Sequence, residues 1–128
     1  MLFFGDEISI FDNAMILRRR LFMARKKFQT LTEQMYYILL ALTNECCGVD
    51  ITERVKEITH GRIIIGPGTL YSLLADFEQE QIIEATKVEG RKKSYIITDK
   101  GQELLKQEYE RLKRQVEEGR SFFEVAYA

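Results

Sequence analysis

One stretch constrains this chain more than any other: GPGTLYSLLADFEQEQIIEATKVEGRKKSYIITDKG, Gly66 to Gly101. It reads as a helix, a strand, a basic turn, a second strand and the start of another helix. Pro67 suits a first helical position, where its missing N–H would have been unpaired anyway. Leu70, Leu73, Leu74 and Phe77 then recur at helical spacing and make one apolar stripe. The opposite face carries Gly68, Thr69, Tyr71, Ser72 and Ala75, small or hydrogen-bonding residues without charge. Ile82 to Val88 and Ser94 to Thr98 are β-prone runs joined by Glu89-Gly90-Arg91-Lys92-Lys93. A neutral polar helix end followed by a hairpin with a cationic tip is the outline of a winged helix-turn-helix, and it points to double-stranded DNA.

The upstream pattern agrees. Thr30 or Thr32 should start a first helix, with Thr30 and Glu33 as a capping box. Its core stripe is Leu31, Met35, Ile38, Leu39 and Leu42. Asn44 to Gly48 makes a turn, and Asp50 with Glu53 repeats the capping pattern for a second helix with the stripe Ile51, Val55 and Ile58. Gly61 is placed as its left-handed C-terminal residue. Ile63, Ile64 and Ile65 form a β-branched run expected to add a third strand to the hairpin. The helix-turn-helix pair is then Asp50 to His60 and Pro67 to Gln79. The fold class is mainly α with a small β-wing.

At 128 residues, one core is the expectation. The net charge of −1 gives no general attraction to nucleic acid, so charge placement has to carry any DNA reading. Arg18, Arg19, Arg20, Arg25, Lys26 and Lys27 cluster near the start, and Arg91, Lys92 and Lys93 sit together. The acids gather on the helices. Lys26 and Lys27 are candidate phosphate ligands on an N-terminal arm, although basic runs are more often solvated than bound. The chain divides by this reading into an N-terminal extension over 1–22, non-native or poorly ordered, a winged helix-turn-helix domain over 23–98, and a C-terminal dimerisation helix and tail over 99–128.

The last helix should run from Asp99 to about Glu118. Leu105, Tyr109, Leu112 and Val116 alternate steps of four and three, the spacing of a coiled-coil seam. That seam either packs on the chain's own first helix or forms a homodimer, and the second reading is favoured because helix-turn-helix dimers bind two half-sites. Tyr71, at the edge of its stripe, either packs its ring and exposes its hydroxyl or donates to a phosphate or base edge.

The remaining chemistry classes find little support. His60 is the lone histidine, the adjacent Cys46 and Cys47 lack further ligands, and no metal or cofactor is expected. No phosphate-cradling loop or nucleophile–base pair is present, so an enzyme is not expected. Met35 to Leu42, the longest apolar run, is far short of the roughly 20 residues of a membrane span, and the expected location is cytoplasmic.

These motifs resemble the PadR family of transcriptional regulators, in which the recognition helix reads close to G-T-L-Y-x-x-L and the wing ends in G-R-x-(K/R)-x-Y followed by T-x-x-G. Gly68, Thr69, Leu70, Tyr71 and Leu74 match the first pattern. Gly90, Arg91, Lys93, Tyr95, Thr98 and Gly101 match the second, and Leu31-Thr32 also fits. The resemblance spans about Phe28 to Glu118 and is closest to the compact branch with a single C-terminal dimerisation helix. It departs at Val49, where an aromatic residue is usual, and at Asp76 and Phe77, where a basic residue and a leucine are common.

What the resemblance implies is a dimeric repressor on a pseudo-palindromic operator, often tuned by a small, frequently aromatic effector near the dimer interface. Tyr36, Tyr37 and Tyr109, with Phe122 and Phe123, are candidates to line such a pocket, or are simply core. The DNA-binding candidates are Thr69, Tyr71, Ser72, Arg91, Lys92, Lys93, Lys26 and Lys27. A winged helix that binds only protein is the alternative.

Overall fold

The computed structural model describes residues 14–21, 28 and 30–124. Helix α1 covers 14–21, and α2 (Glu33–Ala41), β1 (Cys46–Cys47), α3 (Gly48–Ile58), α4 (Pro67–Gln79), β2 (Ile83–Glu89), β3 (Lys92–Ile97) and α5 (Asp99–Glu124) follow. The three strands form one antiparallel sheet in the order β1-β3-β2. Lys26 and Lys27, and residues 1–13 and 22 of the expected extension, lie outside the described residues. Within that extension α1 is helical, and its Leu21 packs against the core.

The apolar stripes read from the sequence converge on a common core. Ile38, Leu39 and Leu42 from α2 and its cap meet Ile51 and Val55 of α3 and Leu70, Leu74 and Phe77 of α4, with Ile82, Ile83, Ile97 and Leu104 closing the centre. Ile58 does not join them. It is 40% exposed, because α3 ends there and the chain turns away. That end is a Schellman motif: His60 N–H bonds to the Glu57 carbonyl and Gly61 N–H to the Lys56 carbonyl at 2.8 Å. Both His60 (φ 53) and Gly61 (φ 80) are left-handed.

Helix α2 starts as the second of the two expectations has it. Thr32 is the N-cap, its side chain accepting the Met35 N–H at 3.2 Å. Glu33 forms no box with Thr30 but pairs with Arg62. The Asp50–Glu53 capping pattern also fails. Cys47 occupies the N-cap position of α3 without a side-chain bond, because β1 runs directly into the helix at Gly48.

The third strand is not Ile63–Ile65. Residues 62–66 are irregular, with Ile65 buried in the core and Ile64 facing solvent. The position beside β3 is taken by Cys46 and Cys47, opposite Tyr95 and Ser94. The α2–α3 connection lies along that edge of β3, whereas Ile65 is committed to the core, and β-branched composition alone makes no strand where the segment pairs with no neighbour. Both cysteines are free thiols on this strand, inside the stretch Asn44 to Gly48 that the sequence reads as a turn.

The hairpin is tighter than the basic run suggested. Glu89 pairs with Lys92, leaving a two-residue turn of Gly90 and Arg91. Gly90 has φ 62 and Arg91 has no positive φ, the pattern of a II′ turn. The register slips between Ala85 and Lys87, so Thr86 forms a bulge in the edge strand.

The T-x-x-G sequence closes the domain onto α5. Thr98 Oγ1 accepts the Gly101 N–H at 3.0 Å and contacts the Ile82 carbonyl at 2.9 Å. A Cβ on Gly101 would overlap the Ile82 carbonyl oxygen and sit 2.7 Å from Ile97 Cγ1, so only glycine lets α5 lie this close to the sheet. Helix α5 has 26 residues, about 39 Å at 1.5 Å per residue. It extends past Glu118 to Glu124, and from residue 109 onward none of its residues is buried.

Candidate nucleic-acid interface

Helix α4 presents the face that the sequence pattern assigns to it. Leu70, Leu74 and Phe77 are buried, while Gly68, Thr69, Ser72 and Ala75 are exposed on the other side. Its N-cap, Gly66, supplies no side-chain bond, and a Cβ at Gly66 or at Gly68 would meet nothing within 4 Å. The first turn therefore offers uncapped N–H groups at the positive end of the helix dipole, with no bulky side chain in front.

Tyr71 is 49% exposed. Its ring lies beside Gly48, where a Cβ would stand 3.6 Å from Tyr71 Cε1 and 3.6 Å from Tyr95 Cε2. Tyr71 thus sets one side of its ring against the protein and leaves the rest to solvent.

Arg91 in the turn and Lys92 at the start of β3 are exposed, as a hairpin tip requires. Lys93 is different. Its Nζ donates to both carboxylate oxygens of Glu78 on α4, at 3.1 and 3.0 Å, and stands 5.4 Å from the centre of the Tyr95 ring. The bond to Glu78 holds the Lys93 pKa above its usual value, with Tyr95 adding to the effect. Burial raises the Tyr95 phenol more than Lys93 lowers it. The sequence grouped Lys93 with the cationic tip, whereas the pleat turns it back toward α4. Glu78 was legible only as one of several helical acids.

The expected seam residues separate into two groups. Leu105 is 7% exposed and belongs to the chain's own core, so it is not part of an open face. Tyr109 is 53% and Val116 71% exposed, and Leu112 between them is half-buried. Phe122 and Phe123 beyond them are exposed as well.

Tyr36, Tyr37 and Tyr109 lie in one neighbourhood. Tyr36 and Tyr37 meet edge to face at 5.6 Å. Burial raises the Tyr36 pKa, and Tyr37, Tyr109 and Glu108 add to the rise. Arg62 occupies Tyr37, donating to its hydroxyl at 2.9 Å and lying over its ring at 5.6 Å. A cavity of 730 Å³ opens elsewhere, between Ile16, Leu17 and Arg20 of α1 and Ile83, Ile97 and Lys100. Another of 330 Å³ lies between Cys47, Val49 and Asp50 and the hairpin residues Lys87 and Lys92. Neither is lined by any of the three tyrosines. No described helix is long and apolar enough to cross a membrane.

Comparison with known proteins agrees with this geometry. The chain is similar to a transcriptional regulator from Clostridium thermocellum, at 24% identity with a TM-score of 0.61, over 71% of this chain and 92% of that one. It is also similar to a PadR-like transcription factor from Bacteroides fragilis, at 28% identity with a TM-score of 0.60, over 70% and 88% of the two chains. An uncharacterised 37.1 kDa protein in a transposon of Streptomyces fradiae is 33% identical over 61 residues, 48% of this chain but only 17% of that protein. Residues 38–107, from α2 through the wing into α5, match the model of one family, and the chain belongs to it: the PadR-like family of transcriptional regulators.

Proposed function

We propose that the protein is a dimeric, sequence-specific DNA-binding regulator, with α4 in the major groove and the Gly90–Arg91 turn on the neighbouring backbone. The observation that carries this reading is the exposed, uncharged N-terminal face of α4, with Gly68, Thr69 and Ser72, on the same domain as the exposed cations Arg91 and Lys92. A neutral hydrogen-bonding helix end reads base edges, while cations at a hairpin tip hold phosphates. The seam of α5 supports a homodimer, because Tyr109, Leu112 and Val116 keep the four-and-three spacing, with Phe123 seven residues further on, along the part of the helix that has no buried residue.

The regulator acts in this reading as a repressor released by a small, aromatic effector near the dimer interface. Support comes from the wing and recognition-helix motifs and from the tyrosines gathered where α2 meets α5. The test is binding to a duplex library at several salt concentrations, followed by sequencing of the retained fraction. Salt-dependent retention with an enriched two-fold motif is expected. No retention at low salt would transfer the function to protein binding.

A further inference from the structure

Three elements converge beside Gly48. The Lys93 carbonyl of β3 would stand 3.5 Å from a Cβ there, and the rings of Tyr71 (α4) and Tyr95 (β3) 3.6 Å from it. One step out, Lys93 reaches across to hold both oxygens of Glu78 on α4. The hairpin beyond this point is otherwise thinly supported. Every β2 residue after Ile83 is exposed, Val88 is 64% exposed, and the bulge at Thr86 interrupts the ladder. A short, solvated hairpin of this kind is a place where local opening costs little.

We propose that Lys93 is a positioning residue, not a phosphate ligand: clasped by Glu78 and backed by the Tyr95 ring, it fixes the angle of the wing relative to the recognition helix. The inference rests on the DNA-binding reading for its purpose but not for its geometry. Two features distinguish the roles chemically. An ammonium whose charge is already shared with a carboxylate releases few counterions when DNA arrives. A wing held at one angle brings Arg91 and Lys92 to the backbone without ordering the hairpin at the moment of binding. The acid at position 78 then belongs on a DNA-facing helix because it orients a cation.

The test uses the full chain with Glu78→Gln, Lys93→Met, the double variant and the exchanged pair Glu78→Lys with Lys93→Glu. Amide hydrogen exchange without DNA is read at the hairpin. Each single variant should speed exchange at Val88 to Lys92, the double variant no more than either single one, and the exchanged pair should restore protection. In parallel, a random duplex of about 30 base pairs is titrated at several salt concentrations, with Arg91→Ala as control. Lys93→Met should weaken binding about threefold with the slope of log K against log salt unchanged. Arg91→Ala should flatten that slope by about one. A slope lowered by Lys93→Met as much as by Arg91→Ala, or additive or absent exchange effects, would overturn the proposal. Failure of the unaltered protein to bind any duplex would remove the DNA-binding reading, and the exchange data alone would then decide the clasp.

Discussion

The buried carboxylate of Glu108 on α5 accepts the backbone N–H of Leu31, which lies 77 residues earlier, just ahead of α2. Its other oxygen pairs with Arg111 Nε one turn along the same helix. A buried acid thus joins the long C-terminal helix to the start of the helix-turn-helix, where each must cover the other's polar groups.

Removing that acid should destabilise the fold. Glu108→Ala leaves a buried N–H without its acceptor and opens a void, at a cost of about 3 kcal/mol. Glu108→Gln should cost less, since an amide oxygen still accepts from Leu31. Urea unfolding at one fixed protein concentration checks both, because dimerisation would otherwise shift the midpoint.

Gly101→Ala is expected to be among the most damaging single-methyl changes. The added carbon overlaps the Ile82 backbone carbonyl, which has no freedom to move, and presses on Ile97. A loss of about 2–3 kcal/mol is expected, while Gly68→Ala, which meets nothing, should stay within about 1 kcal/mol. Thermal melts of the two variants side by side provide the comparison.

The seam predicts different outcomes along one helix. Val116→Asp with Phe123→Asp places charges on exposed positions and should yield folded monomers. Leu105→Asp buries an unpaired carboxylate in the core and should unfold the chain instead. Sedimentation with circular dichroism separates the two. An intact dimer in the first variant would put the two-fold axis on another surface.

Base reading and phosphate holding should also separate. Ser72→Ala is expected to cost about 1 kcal/mol on the selected sequence and little on random DNA. Arg91→Ala and Lys92→Ala should weaken both alike, each lowering the salt slope by about one. Fluorescence anisotropy on the two duplexes resolves the pattern.

The two thiols should differ in reactivity. Cys46 is 4% exposed and burial pushes its thiol above the usual range, so at pH 8 it stays protonated and shielded. Because a raised acid pKa favours the neutral thiol in the fold, that contribution is full below the ordinary cysteine value and fades as the pH climbs through the folded one. Cys47, half-buried beside the hairpin cavity, is more accessible. Iodoacetamide labelling followed by mass spectrometry should give one adduct quickly and the second only on unfolding.

Local patterning was enough to place some of these elements. The stripe Leu70, Leu74, Phe77 placed α4 with Pro67 and Gln79 as its ends, because helical periodicity and the N1 preference of proline act within a few residues. The motif from Gly90 to Gly101 likewise carries the cap of α5 in adjacent positions, Thr98 Oγ1 accepting the Gly101 N–H. Tertiary structure alone decided the rest. Cys46–Cys47 rather than Ile63–Ile65 became the third strand because strand identity depends on which segment reaches an open edge. Leu105 left the seam for the core, and Lys93 left the cationic tip for Glu78, because burial and pairing depend on neighbours distant in the chain. No window of sequence contains Glu108 together with Leu31, and only the folded chain brings them within a hydrogen bond.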